Sequence, residues 1–116
     1  MLDDQRPTLT LTYPRAGHNE SLGRVLVGMH DHGTGLDLSS FRVVADFAVD
    51  EAAAGADLAK KFRPVTQGVW ELRLGRPLTE LRQGRLTVAV KDRQGNLSRI
   101  DRTVSVGKRA GGQAPR

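Results

Sequence analysis

Apolar and polar residues alternate over most of this chain, which is the period-2 pattern of strands with one buried face. The clearest example is Leu86–Val106, where two alternating runs flank the segment Asp92–Asn96. Asp92 suits the first position of a type I turn, and Gly95 suits the left-handed position that follows it. The pattern therefore predicts a β-hairpin whose turn is formed by Asp92–Asn96.

Five further segments have the composition of strands, and the segments between them contain turn-forming residues. The predicted strands are Thr8–Tyr13, Arg24–His30, Phe41–Phe47, Leu58–Phe62 and Val69–Leu74. Alternation predicts one face for Leu9, Leu11 and Tyr13 on the first strand, and one core for Trp70 with the apolar positions of its strand and of the hairpin. Those positions are Leu72, Leu74, Leu86, Val88, Val90, Ile100, Val104 and Val106. About seven strands and no convincing helix predict an all-β antiparallel sandwich.

Two places depart from this simple pattern. The segment Asp50–Lys61 mixes a short Ala-rich run with Gly55, and we interpret it as a loop that leads into the strand Leu58–Phe62, an edge strand. Arg102 falls on the apolar parity of the last strand. Either a bulge shifts the register there, or the guanidinium reaches the rim of the sandwich with its stem packed below.

The length of 116 residues fits one domain, which we place at residues 8–106, between a linker at 1–7 and a disordered tail at 107–116. The absence of Cys excludes disulfides and thiolate metal sites. No apolar run approaches the roughly 20 residues that span a bilayer. The first residues lack the pattern of a signal peptide, so a secreted parent protein would carry its signal upstream.

The chain has 18 Lys and Arg residues against 13 Asp and Glu residues, for a net charge of +5. Such a balance raises the question of a polyanionic partner. Most of the arginines, however, are spread singly along predicted strands and turns, as Arg42, Arg73 and Arg99 illustrate. This spacing favours solvated strand faces over a polyanion-binding surface, so nucleic acid is not an expected partner.

Several motifs in order along the chain resemble those of bacterial immunoglobulin-like modules of the E-set type. The resemblance rests on the loop Asp31–Asp37, on Val69–Leu72 and on the hairpin segment Lys91–Ser98, and it covers about Thr8 to Val106. Two features depart from the family pattern: the segment Asp46–Phe62 is long and Ala-rich, and the aromatic residue near the third strand is Phe rather than Trp.

The resemblance implies an immunoglobulin-like antiparallel sandwich that acts as a non-catalytic spacer, stalk or adhesive module of a larger bacterial surface or secreted protein. Its partners would then be neighbouring domains, other surface proteins or glycans, in an extracellular or cell-envelope location. The alternative is an accessory domain of a secreted enzyme that binds carbohydrate or calcium. Because function on such folds depends on individual sites, the resemblance does not choose between these roles.

The candidate site lies where the immunoglobulin-like topology would bring two loops to the same end of the sandwich. Asp31 and Asp37 would then lie near Asp92 and Asn96, and these oxygen donors are the kind of ligand that calcium prefers. The competing interpretation is that these side chains accept backbone N–H groups and hold the turns. No Gly-x-Ser-x-Gly motif or similar arrangement indicates catalysis, so we expect the protein not to be an enzyme.

Overall fold

The computed structural model describes residues 7–31 and 35–107. In these residues eight strands form two four-stranded sheets, which confirms the all-β sandwich with one strand more than predicted. The strands are β1 Thr8–Tyr13, β2 Gly17–Asn19, β3 Leu22–His30, β4 Leu36–Ala45, β5 Arg63–Thr66, β6 Val69–Leu78, β7 Leu81–Asp92 and β8 Leu97–Val106, with a short 3₁₀ helix at Ala59–Lys61. None of the helical segments in this part of the chain is long and apolar enough to cross a membrane.

The first sheet has the strand order β1-β3-β6-β5 and the second has the order β2-β8-β7-β4. All strand pairs are antiparallel except β2 and β8, which are parallel. Without β2, this is the strand order of a constant-type immunoglobulin sandwich. The additional strand arises because the chain leaves the first sheet after β1, turns through a cis Tyr13–Pro14 bond and joins the edge of the second sheet.

The core lies between the two sheets and follows the predicted parity on most strands. Its buried members from the predicted set are Leu72, Leu74, Leu86, Val88, Val90, Val104 and Val106. Trp70 and Ile100 differ from the prediction in degree, because both are only partly buried and pack against this core from its margin. Phe41 and Phe62 meet edge to face inside it, with ring centroids 5.3 Å apart.

The predicted face of Tyr13 is wrong. Leu11 pairs with Val27 of β3, but Tyr13 pairs with the next residue, Leu26, so the strand contains an irregularity at Thr12. Because side chains alternate along a strand, one extra residue sends the following side chain to the opposite face. Tyr13 therefore lies on the outer face of the first sheet rather than in the core.

The segment between β4 and β5 also differs from the prediction. The expected strand Leu58–Phe62 is instead the 3₁₀ helix Ala59–Lys61, and the edge strand begins afterwards at Arg63. Leu58 is nevertheless buried, and its N–H donates to the carbonyl of Val43 at 2.7 Å. A single anchored side chain followed by a tight turn gives no period-2 pattern, which is why alternation misplaced the strand.

Of the two arrangements predicted for Arg102, the structure has the one in which the guanidinium reaches the rim of the sandwich. The ladder between β7 and β8 is regular at this position, where Leu86 pairs with Arg102. The guanidinium donates from Nη1 to the carbonyls of Leu11 and Pro14, the latter at 3.2 Å. The side chain therefore crosses the rim of the sandwich and ties β8 to the segment where the chain changes sheets.

The described chain enters and leaves the sandwich at opposite ends of β8. The carbonyl of Pro7 accepts a hydrogen bond from the Ser98 hydroxyl at 2.5 Å, near the start of that strand. The N–H of Gly107 donates to the carbonyl of Asn19 at 2.9 Å, just past its end. The remaining residues of the predicted linker, 1–6, and of the predicted tail, 108–116, lie outside the described residues.

Candidate functional site

The two loops that were predicted to be neighbours do meet at one end of the sandwich. The N–H of Arg93 donates to the carbonyl of Gly35 at 3.0 Å. Leu36, at the start of β4, pairs with Asp92 at the end of β7. This juxtaposition is confirmed, while His32, Gly33 and Thr34 of the first loop lie outside the described residues.

Asp92 holds the hairpin turn through both of its carboxylate oxygens, although the residue is only 2% exposed. Oδ1 accepts the N–H groups of Gln94 at 2.9 Å and Asn96 at 2.8 Å, and Oδ2 accepts Nδ2–H of Asn96 at 2.9 Å. Burial by itself would raise the pKa of Asp92, but hydrogen bonds from Asn96, Gln94 and Gly95 outweigh it, so the pKa is lowered. Asp92 is thus an ionised turn cap with Asn96 as its main partner.

Asp31 and Asp37 hold their own segment in the same way. Asp31 Oδ2 accepts the N–H of Gly35 at 2.8 Å, and Asp37 Oδ1 accepts the N–H of Ser39 at 3.1 Å. Asp37 pairs with Lys91, the strand neighbour of Asp92. Because adjacent residues of a strand point to opposite faces, Asp37 and Asp92 lie on different sides of the sheet.

The arrangement of these four residues is therefore that of turn caps at one end of the sandwich. Within residues 7–31 and 35–107, no three His, Asp or Glu side chains are close enough together to hold a metal ion. Each of the three carboxylates accepts N–H groups from its own segment. Calcium binding by Asp31, Asp37, Asp92 and Asn96 stays a prediction.

A second polar cluster, which the sequence pattern did not reveal, lies on the outer face of the first sheet. Glu71 of β6 is flanked by Arg24 at 3.4 Å and by Arg73 at 3.5 Å, measured between guanidinium nitrogen and carboxylate oxygen. The Arg24 guanidinium also lies 4.7 Å from the ring centroid of Tyr13, in a cation–π contact. The alternation of β6 indicates that Glu71 and Arg73 face outward, but only the β3–β6 register brings Arg24 to them.

Three adjoining surface grooves extend from this cluster. The first, of about 490 Å³, includes Tyr13, Pro14 and Pro77 in its lining and shares Arg73 with the second, of about 640 Å³. The second and third share Lys61, and the third has about 620 Å³. Six cationic side chains line the three grooves together, and we call this surface the basic groove: Arg24, Lys60, Lys61, Arg63, Arg73 and Arg76.

Asp50 positions one wall of the basic groove. Its backbone has a φ of 51°, in the left-handed region, and its carboxylate accepts the N–H of Gly75 at 2.9 Å and of Arg76 at 3.0 Å. These hydrogen bonds are the main reason why the pKa of Asp50 is lowered, with Lys61 and Arg76 adding a favourable charge interaction. The carboxylate thus holds the backbone of β6 at Gly75 and Arg76, and its oxygens point toward that backbone.

No family model matches this chain, and no curated protein matches it significantly. Among solved structures, it is similar to an endo-beta-1,4-mannanase from Thermotoga petrophila, with a TM-score of 0.61 and 12% identity. The match covers 91% of this chain and 21% of the mannanase chain, so this chain spans about a fifth of that protein. It is also similar to CopC from Methylosinus trichosporium OB3b, with a TM-score of 0.52, 13% identity and coverage of 94% and 100%. At these identities, the similarity establishes a shared β-sandwich fold.

Proposed function

We propose that this chain is a non-catalytic immunoglobulin-like module that serves as a spacer, stalk or adhesive domain in a larger bacterial surface or secreted protein. The observation that carries the proposal is the position of its two ends. The contacts of Pro7 with Ser98 and of Gly107 with Asn19 lie at opposite ends of β8. From Ser98 to Val106 this strand spans roughly 26 Å at about 3.3 Å per residue. A domain with this geometry adds its own length between its neighbours.

The edges of the two sheets support the same role. The strand β5 at one edge has only four residues and contains Arg63 and Pro64, which disfavour pairing with another chain. At the edge of the second sheet, Leu58 and Asp57 cover part of β4 by bonding to the backbone of Val43. Covered or short edges allow a sandwich to stand beside other domains without joining their sheets.

The comparison with the mannanase supports a modular role because a sandwich of this size forms about a fifth of that longer protein. The partners that we propose are neighbouring domains of the same parent protein, with surface proteins or glycans as further candidates, in an extracellular or envelope location. The role needs no cofactor.

The spacer role is tested by flanking the full chain with two fluorescent domains and measuring their separation by single-molecule energy transfer. We expect a distance distribution that is narrower than that of a random coil of the same length and that broadens when the chain unfolds in denaturant. A Gly/Ser linker of the same length is the control, because it behaves as a random coil with a broad distribution. An equally broad distribution for the folded chain would contradict the spacer role.

The alternative role is that of an accessory domain that binds carbohydrate or calcium beside a catalytic domain. The observation that favours it is the fold shared with part of an endo-beta-1,4-mannanase. A thermal-shift screen of the full chain against manno-oligosaccharides and Ca²⁺ tests it, because a ligand that binds only the folded state raises Tm with its concentration. No shift with either ligand would contradict the alternative.

A further inference from the structure

We infer that the basic groove binds an acidic polysaccharide, that is, an extended glycan that carries carboxylates along its length. Six cationic and three acidic side chains line the groove. The cations come from distant parts of the chain, between Arg24 and Arg76, and the fold gathers them on the first sheet and the 3₁₀ helix beside it.

Two of the three acids are already engaged within the protein. The Glu71 side chain is only 10% exposed and lies between Arg24 and Arg73. The Asp50 carboxylate accepts the N–H groups of Gly75 and Arg76. Six cations against three acids leave the groove with a net positive charge, and these two carboxylates point to partners within the protein rather than to a ligand.

The arginines remain available to a partner despite these contacts. The side chain of Arg24 is 47% exposed and that of Arg73 is 79% exposed. The two residues pair directly across β3 and β6, where like charges repel each other unless a carboxylate lies between them. Glu71 offsets one of the two positive charges, and a ligand carboxylate can offset the other, because an exposed planar guanidinium binds a carboxylate with two parallel hydrogen bonds.

The lining of the groove favours a glycan over a nucleic acid. The three grooves adjoin one another through the shared residues Arg73, Asp50 and Lys61, so a bound polymer can extend from one groove to the next. Proteins that bind single-stranded nucleic acid stack bases on free aromatic faces. Here the Tyr13 ring is occupied by Arg24, and Trp70 packs against the core. The choice of a glycan also rests on the proposed surface location of the module.

Polygalacturonate binding by the full chain, measured by isothermal titration calorimetry, tests the inference. The site variant carries Lys61→Gln, Arg63→Gln and Arg73→Gln, and a second variant carries Lys60→Gln and Lys61→Gln. The matched control carries Arg42→Gln, Arg85→Gln and Arg99→Gln, which removes the same charge from exposed positions of the second sheet. A methyl-esterified polygalacturonate, which lacks the carboxylate charge, and a single-stranded oligonucleotide are the control ligands.

We expect the wild type to bind polygalacturonate but not its ester, with affinity that falls as salt rises. Losing three ionic contacts should weaken binding by about ten- to hundredfold at low salt in the site variant, by analogy with other polyanions. The affinity should fall less in the second variant, and least in the control variant. Equal losses in site and control variants, equal binding of the ester, or tighter binding of the oligonucleotide would overturn the inference. So would absence of binding, which leaves the distance measurement for the spacer role unaffected.

Discussion

The turn Asp92–Asn96 and the connection between β4 and β5 are both held by aspartate carboxylates, but at very different sequence distances. Asp92 bonds to residues at most four positions away. In the connection, Asp46 accepts the N–H of Arg85 at 2.7 Å, and Asp50 accepts that of Gly75, 25 positions along the chain. The same side chain thus caps a local turn in one region and clamps distant strands in the other, so the connection depends on the rest of the fold.

The largest loss of stability should follow from replacing Leu58, the large side chain of the connection that is fully buried. Leu58 is 1% exposed, and replacing it with Ala should lower the free energy of unfolding by about 2–5 kcal/mol, because it leaves a cavity between the sheets. Leu38→Ala, at a residue that is 52% exposed, is the control and should change it by less than about 0.5 kcal/mol. Denaturant unfolding measures both. Equal, small effects would show that the connection is not anchored in the core.

A somewhat smaller effect is expected where the connection packs on β7. A Cβ atom added at Gly84 would lie 2.5 Å from Cδ1 of Phe47 and 2.8 Å from Cδ2 of Leu81. We expect Gly84→Ala to destabilise the protein by about 1–3 kcal/mol through overpacking. Adding Phe47→Leu should recover part of the loss in a double-mutant cycle, whereas simple additivity would show that the close approach is not the cause.

Replacing a glycine that has a left-handed conformation should lower the stability equally in both regions. Gly95 in the hairpin turn has a φ of 90°, as the turn pattern predicted, and Gly55 in the connection has a φ of 89°. An added Cβ meets no atom within 4 Å at either position. Replacing either by Ala should therefore cost about 1 kcal/mol through backbone strain alone. A thermal melt of each variant checks this, and a stabilised Gly95→Ala protein would show that the turn is drawn wrongly.

Acid should remove the stabilisation that ionised aspartates give to both regions. The pKa values of Asp92 and Asp50 are lowered below the usual 3.8, so their ionised forms stabilise the folded state above that pH, and this contribution disappears as pH falls through their folded pKa values. Denaturant midpoints measured from about pH 6 down to about pH 2 should therefore fall steeply for the wild type. The Asp92→Asn and Asp50→Asn variants should each have a lower denaturant midpoint at about pH 6 than the wild type. Their midpoints should also fall less as the pH is lowered. Parallel curves for wild type and variants would contradict this assignment.

The smallest expected effect is that of calcium. Asp31, Asp37 and Asp92 accept N–H groups from their own segments, and the turn-cap interpretation predicts that Tm stays unchanged with added Ca²⁺ or chelator. A rise in Tm that follows the Ca²⁺ concentration and is reversed by chelator would instead establish the calcium site. Asp37→Asn is the informative variant, since it should abolish such a rise if Asp37 is a ligand.

Alternation and turn residues predicted the hairpin, the strand β1 and most of the core, because these features follow from neighbours a few positions apart. Val88 and Val90, for example, are buried as their parity requires. The same rules failed at Tyr13, where a bulge reverses the face, and at Leu58, where one anchored residue gives no periodic pattern. Turn residues marked the two end loops, but their meeting was expected only from the immunoglobulin-like topology that the resemblance implies.

By itself, the sequence determined the fold class, the hairpin and the turn role of Asp92 and Asn96, since each depends on local backbone preferences and on the burial of alternate residues. Only the tertiary structure decided which strands other than the two of the hairpin share a sheet, and which charges lie together. Arg24 and Arg73 meet because β3 pairs with β6 in one register, and Lys61 joins them because Leu58 anchors the turn before it. Such long-range pairings depend on the packing of the whole core, and no local pattern encodes them.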